Sequence, residues 1–161
     1  MQSNLNKFLE DTLVFEGNYV NDPHDPGGET KYGICKRDYP DLDIKNLTKD
    51  QAKAIYKSKY WDKIKGDDLP SGIDLWVGDA AINSGPVQAA KWLQRALNVS
   101  TVDGVIGPQT VLAATKADKR SVILSMSEQR ITMLRGLKTW NRYGPGWTNR
   151  VSDLTKTCLA M

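Results

Sequence analysis

The chain has 161 residues, of which 40% are hydrophobic and 25% charged, and its 22 basic and 19 acidic residues give a formal net charge of +3. This length suits one well-cored domain or two lobes that share a core. The charge is too small to indicate nucleic-acid binding, although it weakly favours an anionic wall or membrane surface. No stretch approaches the length of a membrane span, so no integral membrane segment is expected.

The N-terminal segment predicts an amphipathic helix that ends near Glu16. Its apolar stripe consists of Leu5, Phe8, Leu9, Thr12 and Leu13. On a helical wheel Glu16 falls within about 20° of Leu5, and Gly17 follows at once and can end the helix. A carboxyl group at the inner end of an apolar face is poorly solvated, which raises its pKa and suits a general acid. A glutamate that merely caps or pairs at a helix end is the alternative.

Residues 19–34 predict a hairpin with a long, stiffened tip. Tyr19 and Val20 are β-prone, residues 21–28 read NDPHDPGG and favour turns, and residues 29–34 alternate as a strand would. The prolines on either side restrain the backbone of Asp25 and thus place its carboxylate. Thr30 lies on one face of the predicted strand together with Tyr32 and Ile34.

Each of these polar residues also has a plain structural interpretation. Asp25 could be only a turn former and Thr30 only a strand residue. The acidic spacing does not match an EF-hand calcium loop, and His24 on a polar tip is expected to be solvated. Taken together, however, two carboxylates held apart with a hydroxyl nearby are the minimum equipment for adding water across a glycosidic bond.

The remainder of the chain predicts one helix after another. Thr48 and Gln51 form a capping box for a helix that reaches about Tyr60 and Trp61. The next prediction is a helix over 73–83 that is apolar nearly all round, followed by a break at 84–86 and a helix through Leu97, whose inward residues are Val87, Ala90, Leu93 and Leu97. Further helices are predicted from Pro108 to about Thr115 and over 121–140. A turn at 143–146 then precedes a last helix over 147–159.

Four residues are candidates for contact with a sugar. Tyr32 beside the hairpin, and Tyr60 with Trp61 at a helix end, are the aromatic side chains best placed for a cleft, whereas most of the five tryptophans are expected in the core. Asn83, a polar residue on an otherwise apolar helix, either reaches a substrate amide or stabilises the hairpin.

The cysteine and histidine content indicates no metal site and no cofactor. Two cysteines, Cys35 and Cys158, and one histidine make no zinc pattern. Each cysteine is better explained as a small buried hydrophobe than as a disulfide partner.

Three segments together resemble a known enzyme family. Glu16, Asp25 and Thr30, separated by eight and four residues, resemble the Glu–Asp–Thr constellation of phage-type lysozymes, and residues 16–34 resemble the signature of glycoside hydrolase family 108, the N-acetylmuramidases found among phage endolysins. Residues 76–85 look like the buried helix of that family, and residues 93–97 with 103–110 resemble its peptidoglycan-binding-like half. Asn18 stands where the family usually has a second glycine.

The resemblance implies an α+β, predominantly α, lysozyme-like fold with a small N-terminal hairpin lobe and a helical C-terminal lobe. The whole chain, 1–161, would be one domain, with a catalytic lobe over 1–70 and a helical lobe over 71–161. The implied reaction is hydrolysis of the β-1,4 bond between N-acetylmuramic acid and N-acetylglucosamine in bacterial peptidoglycan, with Glu16 as acid, Asp25 stabilising positive charge and orienting a water, and Thr30 positioning that water.

The alternatives are a lytic transglycosylase that uses Glu16 alone, a non-catalytic wall-binding module built on residues 103–110 and, more distantly, a chitinase. A monomer is the default. The N-terminus lacks a secretory signature, so we expect synthesis in a cytoplasm, such as that of a phage host, and action in the periplasm or cell wall after release through a membrane lesion or after dedicated export.

Overall fold

The computed structural model describes residues 2–16 and 18–161, with the backbone alone for residues 2, 3, 15 and 16. Over this part of the chain there are seven α-helices and one two-stranded antiparallel sheet. Their bounds are α1 Gln2–Glu16, β1 Thr30–Lys31, β2 Ile34–Cys35, α2 Lys49–Tyr56, α3 Ile73–Ser84, α4 Pro86–Ala96, α5 Pro108–Lys116, α6 Lys119–Arg135 and α7 Trp140–Leu159. The predicted α+β, predominantly α, lysozyme-like class is confirmed. The division into lobes at residue 70 stays a prediction.

The apolar stripe predicted for α1 is buried. Leu5, Phe8, Leu9 and Leu13 are each at most 6% exposed, and burying such a side chain contributes about 1.5–3 kcal/mol. Thr12 completes the stripe by donating its hydroxyl hydrogen to the Phe8 carbonyl oxygen at 2.7 Å. The predicted inward direction of the Glu16 side chain lies outside the described part of the chain, since only the backbone of Glu16 is described, as the last residue of α1.

α1 runs parallel to α3, the helix at the centre of the molecule. Near its start, Asn4 Nδ2 donates to the buried Asp74 carboxylate at 2.9 Å, and one turn later the Phe8 ring lies against Gly78, where an added Cβ would stand 3.0 Å from it. Burial raises the pKa of Asp74, against hydrogen bonds that lower it. From the first contact to the second, the position advances by four residues on α1 (Asn4 to Phe8) and by four residues on α3 (Asp74 to Gly78). The C-terminal ends of the two helices therefore lie at the same end of the molecule.

α7 packs on α3 in the opposite direction. Its last turn meets the beginning of α3 where the Cys158 carbonyl oxygen contacts Gly72, and Arg150, two turns earlier, reaches Asp79 at 3.5 Å. The N-terminal half of α7 therefore extends toward the end of the molecule at which α1 and α3 finish. Three segments that are far apart in sequence converge there.

The hairpin differs from the one predicted. A two-residue turn at Tyr32 and Gly33, both with positive φ (52° and 77°), interrupts the expected strand and makes β1 and β2 a tight hairpin in which Thr30 pairs with Cys35. The predicted pairing of Tyr19 and Val20 with the 29–34 segment survives as one bridge between Val20 and Thr30. The alternation predicted over 29–34 was wrong because this turn type favours Asn-Gly or Asp-Gly, and tyrosine gives no signal for it.

The predicted turn at 143–146 was also wrong. α6 ends at Arg135 rather than near Trp140, and α7 begins at Trp140 and continues through Gly144, Pro145 and Gly146. Pro145 removes only one hydrogen bond from the helix, and ring contacts between residues on both sides of it, such as Trp140 with Trp147 at 6.2 Å, hold the first two turns together. Although α7 has 20 residues, no helix in the described ranges is both long and apolar enough to cross a membrane.

The other helix signals were mostly read correctly. Thr48 and Gln51 form the predicted capping box at the start of α2, the central helix is buried nearly all round, and Pro86 and Pro108 each open a helix. The prediction that Val87 faces inward was wrong, since this side chain is 56% exposed. It lies in the first turn of α4, where it contacts the loop at Gly104 instead of the core.

Both cysteines are free thiols. Burial raises the pKa of the Cys158 thiol to about 12, so the reactive thiolate is scarce near neutral pH, whereas Cys35 is only half-buried and its thiol donates to Asp38. We expect iodoacetamide at about pH 8 to alkylate Cys35 in the native protein and Cys158 only after unfolding. Mass spectrometry with and without denaturant checks this, and native alkylation at both positions would contradict it.

Candidate active site

After α1, backbone hydrogen bonds between Val20 and Thr30 close the chain into a loop. Val20 and Thr30 exchange two backbone hydrogen bonds, with N···O distances of 2.7 and 2.8 Å. Beside them the Tyr19 hydroxyl donates to Glu29 Oε1 at 2.8 Å, and this bond raises the pKa of Tyr19. These three bonds clamp residues 21–28, hereafter the 21–28 loop, at the end of the first helix.

Within the 21–28 loop two consecutive aspartate turns define the backbone. Asp22 Oδ1 accepts from the His24 amide at 2.9 Å, and the Asp25 amide donates to the Asp22 carbonyl oxygen at 3.0 Å. Asp25 Oδ1 then accepts from the Gly27 amide at 2.8 Å. Aspartate favours such turns because its short side chain reaches an amide two residues ahead. The loop is thus ordered by its own hydrogen bonds.

Asp25 in the 21–28 loop and Thr30 in β1, two of the predicted site residues, both hydrogen-bond to the backbone of Gly28. Asp25 is exposed and accepts the Gly28 amide hydrogen with its carbonyl oxygen at 3.0 Å, while the half-buried Thr30 directs its hydroxyl to the Gly28 carbonyl oxygen at 3.4 Å. Oδ1 of Asp25 holds the turn, and Oδ2 has no hydrogen-bond partner among the described residues. Asp25 can therefore offer one oriented, solvent-facing oxygen to a ligand.

The backbone path brings this loop to Glu16. Val20 follows Glu16 by four residues, so their Cα atoms lie within about 14 Å, and the Cα atom of Thr30 is about 5 Å from that of Val20 across the bridge. The end of α1, the Asp25 turn and Thr30 are consequently neighbours in one small region. The position of the Glu16 carboxyl group lies outside the described atoms.

Tyr32 and Tyr60, two of the aromatic candidates for sugar contact, are only half-buried. Tyr32 is half-buried at the hairpin turn, where its carbonyl oxygen accepts from the Tyr56 hydroxyl at 2.6 Å. Tyr60 is half-buried and stacks on Tyr56, with ring centroids 5.8 Å apart. Both retain partly exposed rings and stay candidates for sugar contact.

Trp61 is not a surface residue, and the expectation that it contacts a sugar is corrected. Its side chain is 0% exposed, its ring packs against Phe8 at 5.1 Å, and its indole N–H donates to Asp67 at 2.9 Å. α2 continues past Tyr56 as a π-helical turn, Lys57–Trp61. This turn buries Trp61 against α1 and α3 instead of leaving it at a free helix end.

Asn83 is exposed in the last turn of α3, where its amide donates to the Asp79 carbonyl oxygen at 2.9 Å and to its carboxylate at 3.3 Å. The same carboxylate accepts from Arg130 at 2.9 Å and from Arg150 at 3.5 Å. Sequence analysis missed this network because its members are 51 and 71 residues apart. The sequence feature that could have indicated this network is Asp79 itself, an acidic residue inside an apolar helix.

A groove of about 350 Å³ runs beside this network between α1, α3 and α7. Both apolar and charged side chains line it, and they include Phe8, Thr12, Asp79, Ile82, Arg150 and Leu154. Thr12 precedes Glu16 by one helical turn. The groove therefore leads toward the end of α1 and the 21–28 loop.

The 103–110 segment surrounds a buried glutamine. Gln94 Nε2 donates to Asp103 Oδ1 at 2.9 Å and to the Val105 carbonyl oxygen at 3.0 Å, and Gln94 Oε1 accepts from the Gly104 amide at 2.9 Å. These bonds give the segment a structural role. Elsewhere, the described residues contain no cluster of three or more His, Cys, Asp or Glu side chains that could hold a metal ion.

Comparison with known proteins adds the following findings. The sequence matches the family described as glycosyl hydrolase 108 over residues 9–85 and the predicted peptidoglycan domain over residues 88–152. Among solved structures, that of Brucella abortus SagA is similar, with 39% sequence identity and a TM-score of 0.84 over 99% of this chain and 96% of that chain. None of the curated proteins matches the sequence. The first family match contains Glu16, Asp25 and Thr30, and the second contains the 103–110 segment.

Proposed function

We propose that this chain, which belongs to the glycosyl hydrolase 108 family and is a peptidoglycan hydrolase, cleaves the β-1,4 bond between N-acetylmuramic acid and N-acetylglucosamine, as a lysozyme does. The observation that carries this proposal is the pairing of Val20 with Thr30 immediately after α1. It ties the loop that bears Asp25 to the end of the helix that bears Glu16, which supports a site built from two carboxyl groups.

In the proposed mechanism Glu16 donates its proton to the glycosidic oxygen as the bond from that oxygen to the anomeric carbon breaks. The sugar left behind acquires oxocarbenium character, which the Asp25 carboxylate stabilises. Water positioned by Asp25 and the Thr30 hydroxyl attacks the anomeric carbon from the opposite face and gives its proton to Asp25. This mechanism requires carboxyl groups about 6.5–9.5 Å apart and inverts the anomeric configuration.

The unequal roles of Asp25 and Thr30 predict graded losses of activity. Asp25→Asn keeps the oxygen that accepts from the Gly27 amide but removes the charge, so we expect kcat to fall about 100-fold, the lower end of the range for a positioned general base. Thr30→Ala removes one neutral hydrogen bond to the water, so we expect a fall of about 2- to 10-fold. Asp22→Asn, a matched change at the other aspartate turn of the loop, should leave kcat unchanged. Release of reducing ends from purified peptidoglycan measures all three, and an order of effects with Thr30→Ala largest would contradict the assignment.

Product analysis tests the function itself. Digested peptidoglycan should yield fragments with N-acetylmuramic acid at the reducing end, and NMR spectroscopy of fresh product should show the inverted anomer. Anhydro-sugar ends would instead identify a lytic transglycosylase, and wall binding without new reducing ends would identify a binding module. Chitin oligomers serve as the comparison substrate for a chitinase.

The proposed setting is host cell lysis, in which the enzyme acts as an endolysin after synthesis in the cytoplasm and release, or export, to the wall. Expression in a bacterial cytoplasm should leave cells intact until a membrane-permeabilising agent is added and should then cause rapid lysis. Lysis without permeabilisation would argue against release through a separate lesion.

A further inference from the structure

Three aromatic residues at the start of α7 form a cluster that the mechanism does not use. The cluster consists of Trp140, Tyr143 and Trp147. The Trp147 ring contacts both of the others, with ring centroids 6.2 Å apart for Trp140 and Trp147 and 5.7 Å apart for Tyr143 and Trp147. Trp140 also lies over Gly144, where an added Cβ would stand 2.7 Å from its ring. The glycine that was expected to mark a turn instead makes room for this ring.

The cluster is distinct from the aromatic core. Trp61, Trp76 and Trp92 are at most 2% exposed, whereas Trp140 and Trp147 are half-buried and Tyr143 is 45% exposed. Large aromatic side chains that remain partly in water forgo part of their burial free energy. A polar ligand with apolar faces, such as a pyranose ring, would recover it.

The cluster lies on the face of α7 that lines the groove. Tyr143 precedes Arg150 by seven residues and Trp147 precedes Leu154 by seven, and seven residues are nearly two full turns. Arg150 and Leu154 both line the groove between α1, α3 and α7. The aromatic side chains therefore continue the α7 wall of that groove beyond Arg150.

This continuation points toward the proposed catalytic residues. Because α7 is antiparallel to α3 and Arg150 is level with Asp79, the segment from Trp147 to Tyr143 reaches the level at which α3 ends, near Asn83. α1 is parallel to α3 and reaches the same level with Glu16. The aromatic cluster and the 21–28 loop are thus at the same end of the molecule, on different elements.

The charges around the cluster match an anionic saccharide. Arg142 lies over the Tyr143 ring at 5.3 Å and Arg135 over the Trp140 ring at 6.0 Å. N-acetylmuramic acid presents a lactyl group, and the peptides attached to it carry carboxylates, which arginine binds well. Aromatic faces flanked by arginine therefore fit this polymer better than they fit an uncharged glucan.

We propose that Trp140, Tyr143 and Trp147 form a sugar-binding platform that holds the peptidoglycan glycan strand beside the scissile bond, with Arg142 over the Tyr143 ring and Arg135 over the Trp140 ring. This inference rests on the proposed function. The platform binds substrate before and during bond cleavage without touching the reacting atoms, so it contributes uniform binding and acts on KM rather than on kcat.

The test uses the full chain and a soluble, peptide-free tetrasaccharide of alternating N-acetylglucosamine and N-acetylmuramic acid. Trp147→Ala and, separately, Tyr143→Ala should each raise KM about 3- to 10-fold with kcat unchanged, and Trp147→Phe should restore much of the loss. Leu112→Ala, which removes an exposed apolar side chain on α5, is the matched control and should change neither constant. Thermal unfolding verifies that each variant is folded.

Binding without turnover separates this inference from the proposed function. In a Glu16→Gln background, titration with the tetrasaccharide should quench tryptophan fluorescence, and Trp147→Ala should weaken the apparent affinity by the same factor as it raises KM. If the wild-type protein releases no reducing ends but this binding loss is seen, the proposed function fails and the platform stands.

The platform is overturned if folded Trp147→Ala and Tyr143→Ala proteins bind and hydrolyse the tetrasaccharide as the wild type does. It is also overturned if these variants lose binding only to vesicles that contain anionic phospholipid, because the cluster would then be a membrane-surface contact.

Discussion

Glu16→Gln is expected to reduce peptidoglycan hydrolysis by about 100- to 10,000-fold, the usual contribution of a positioned general acid. Glutamine has nearly the same shape as glutamate but cannot donate a proton to the leaving oxygen. Glu16 closes α1 directly before the clamped 21–28 loop, so an isosteric change there should leave the fold intact. Initial rates of reducing-end release, with thermal unfolding as the check on folding, measure the effect.

The matched control is Glu10→Gln on the same helix. Glu10 is exposed and pairs with Lys53 at 2.6 Å and Lys49 at 3.3 Å. These ion pairs lower its pKa, so it stays charged and does not serve as an acid near neutral pH. We expect its replacement to leave the hydrolysis rate unchanged. If a Glu16→Gln protein cleared cell wall at a near wild-type rate, the assignment of Glu16 as the general acid would be wrong.

Trp61→Ala is expected to lower the free energy of unfolding by about 3–5 kcal/mol, the range for loss of a large aromatic side chain from a core. The substitution opens a cavity beside Phe8 and removes the hydrogen bond to Asp67. Since the ring has no exposed face, KM of the fraction that remains folded should not change. Urea unfolding followed by circular dichroism measures the stability, and steady-state kinetics measures KM.

An independent pair of variants tests the same packing from the opposite side. A Cβ added at Gly66 would overlap the Trp61 ring, whereas a Cβ added at Gly107 meets no atom within 4 Å. Gly66→Ala should therefore destabilise the protein markedly, and Gly107→Ala should not. If Trp61→Ala were tolerated but raised KM, Trp61 would belong to the cleft after all.

Regular periodicity made most helices predictable. α1, α3 and the helices opened by Pro86 and Pro108 follow from apolar spacing and from residues that start or stop helices, which act over a few neighbouring positions. The failures occurred where a local signal competed with packing. Gly144, Pro145 and Gly146 favour a turn in isolation, but ring contacts around Trp140 and Trp147 keep them helical. Tyr32 gives no hint of the left-handed turn that it adopts.

The candidate catalytic set could be proposed from the sequence because it is local in sequence, and it stays a prediction. Glu16, Asp25 and Thr30 lie within fifteen residues, and turn chemistry alone indicated that the chain doubles back between them. The ion-pair network around Asp79 was not predictable in the same way. Asp79 meets Arg130 and Arg150 across 51 and 71 residues, and no short-range pattern encodes such a pairing.

The amino-acid sequence by itself determined the helical character of the chain, its family resemblance and the short segment that contains Glu16, Asp25 and Thr30. Only the tertiary structure decided that Trp61 is core, that α7 is continuous, and that its aromatic residues stand at the same end of the molecule as Glu16. The physical reason is the separation in sequence between the residues that interact. Helix periodicity and turn preference act between neighbours along the chain, whereas the level at which α1, α3 and α7 meet is determined by side-chain packing between residues that the sequence holds far apart.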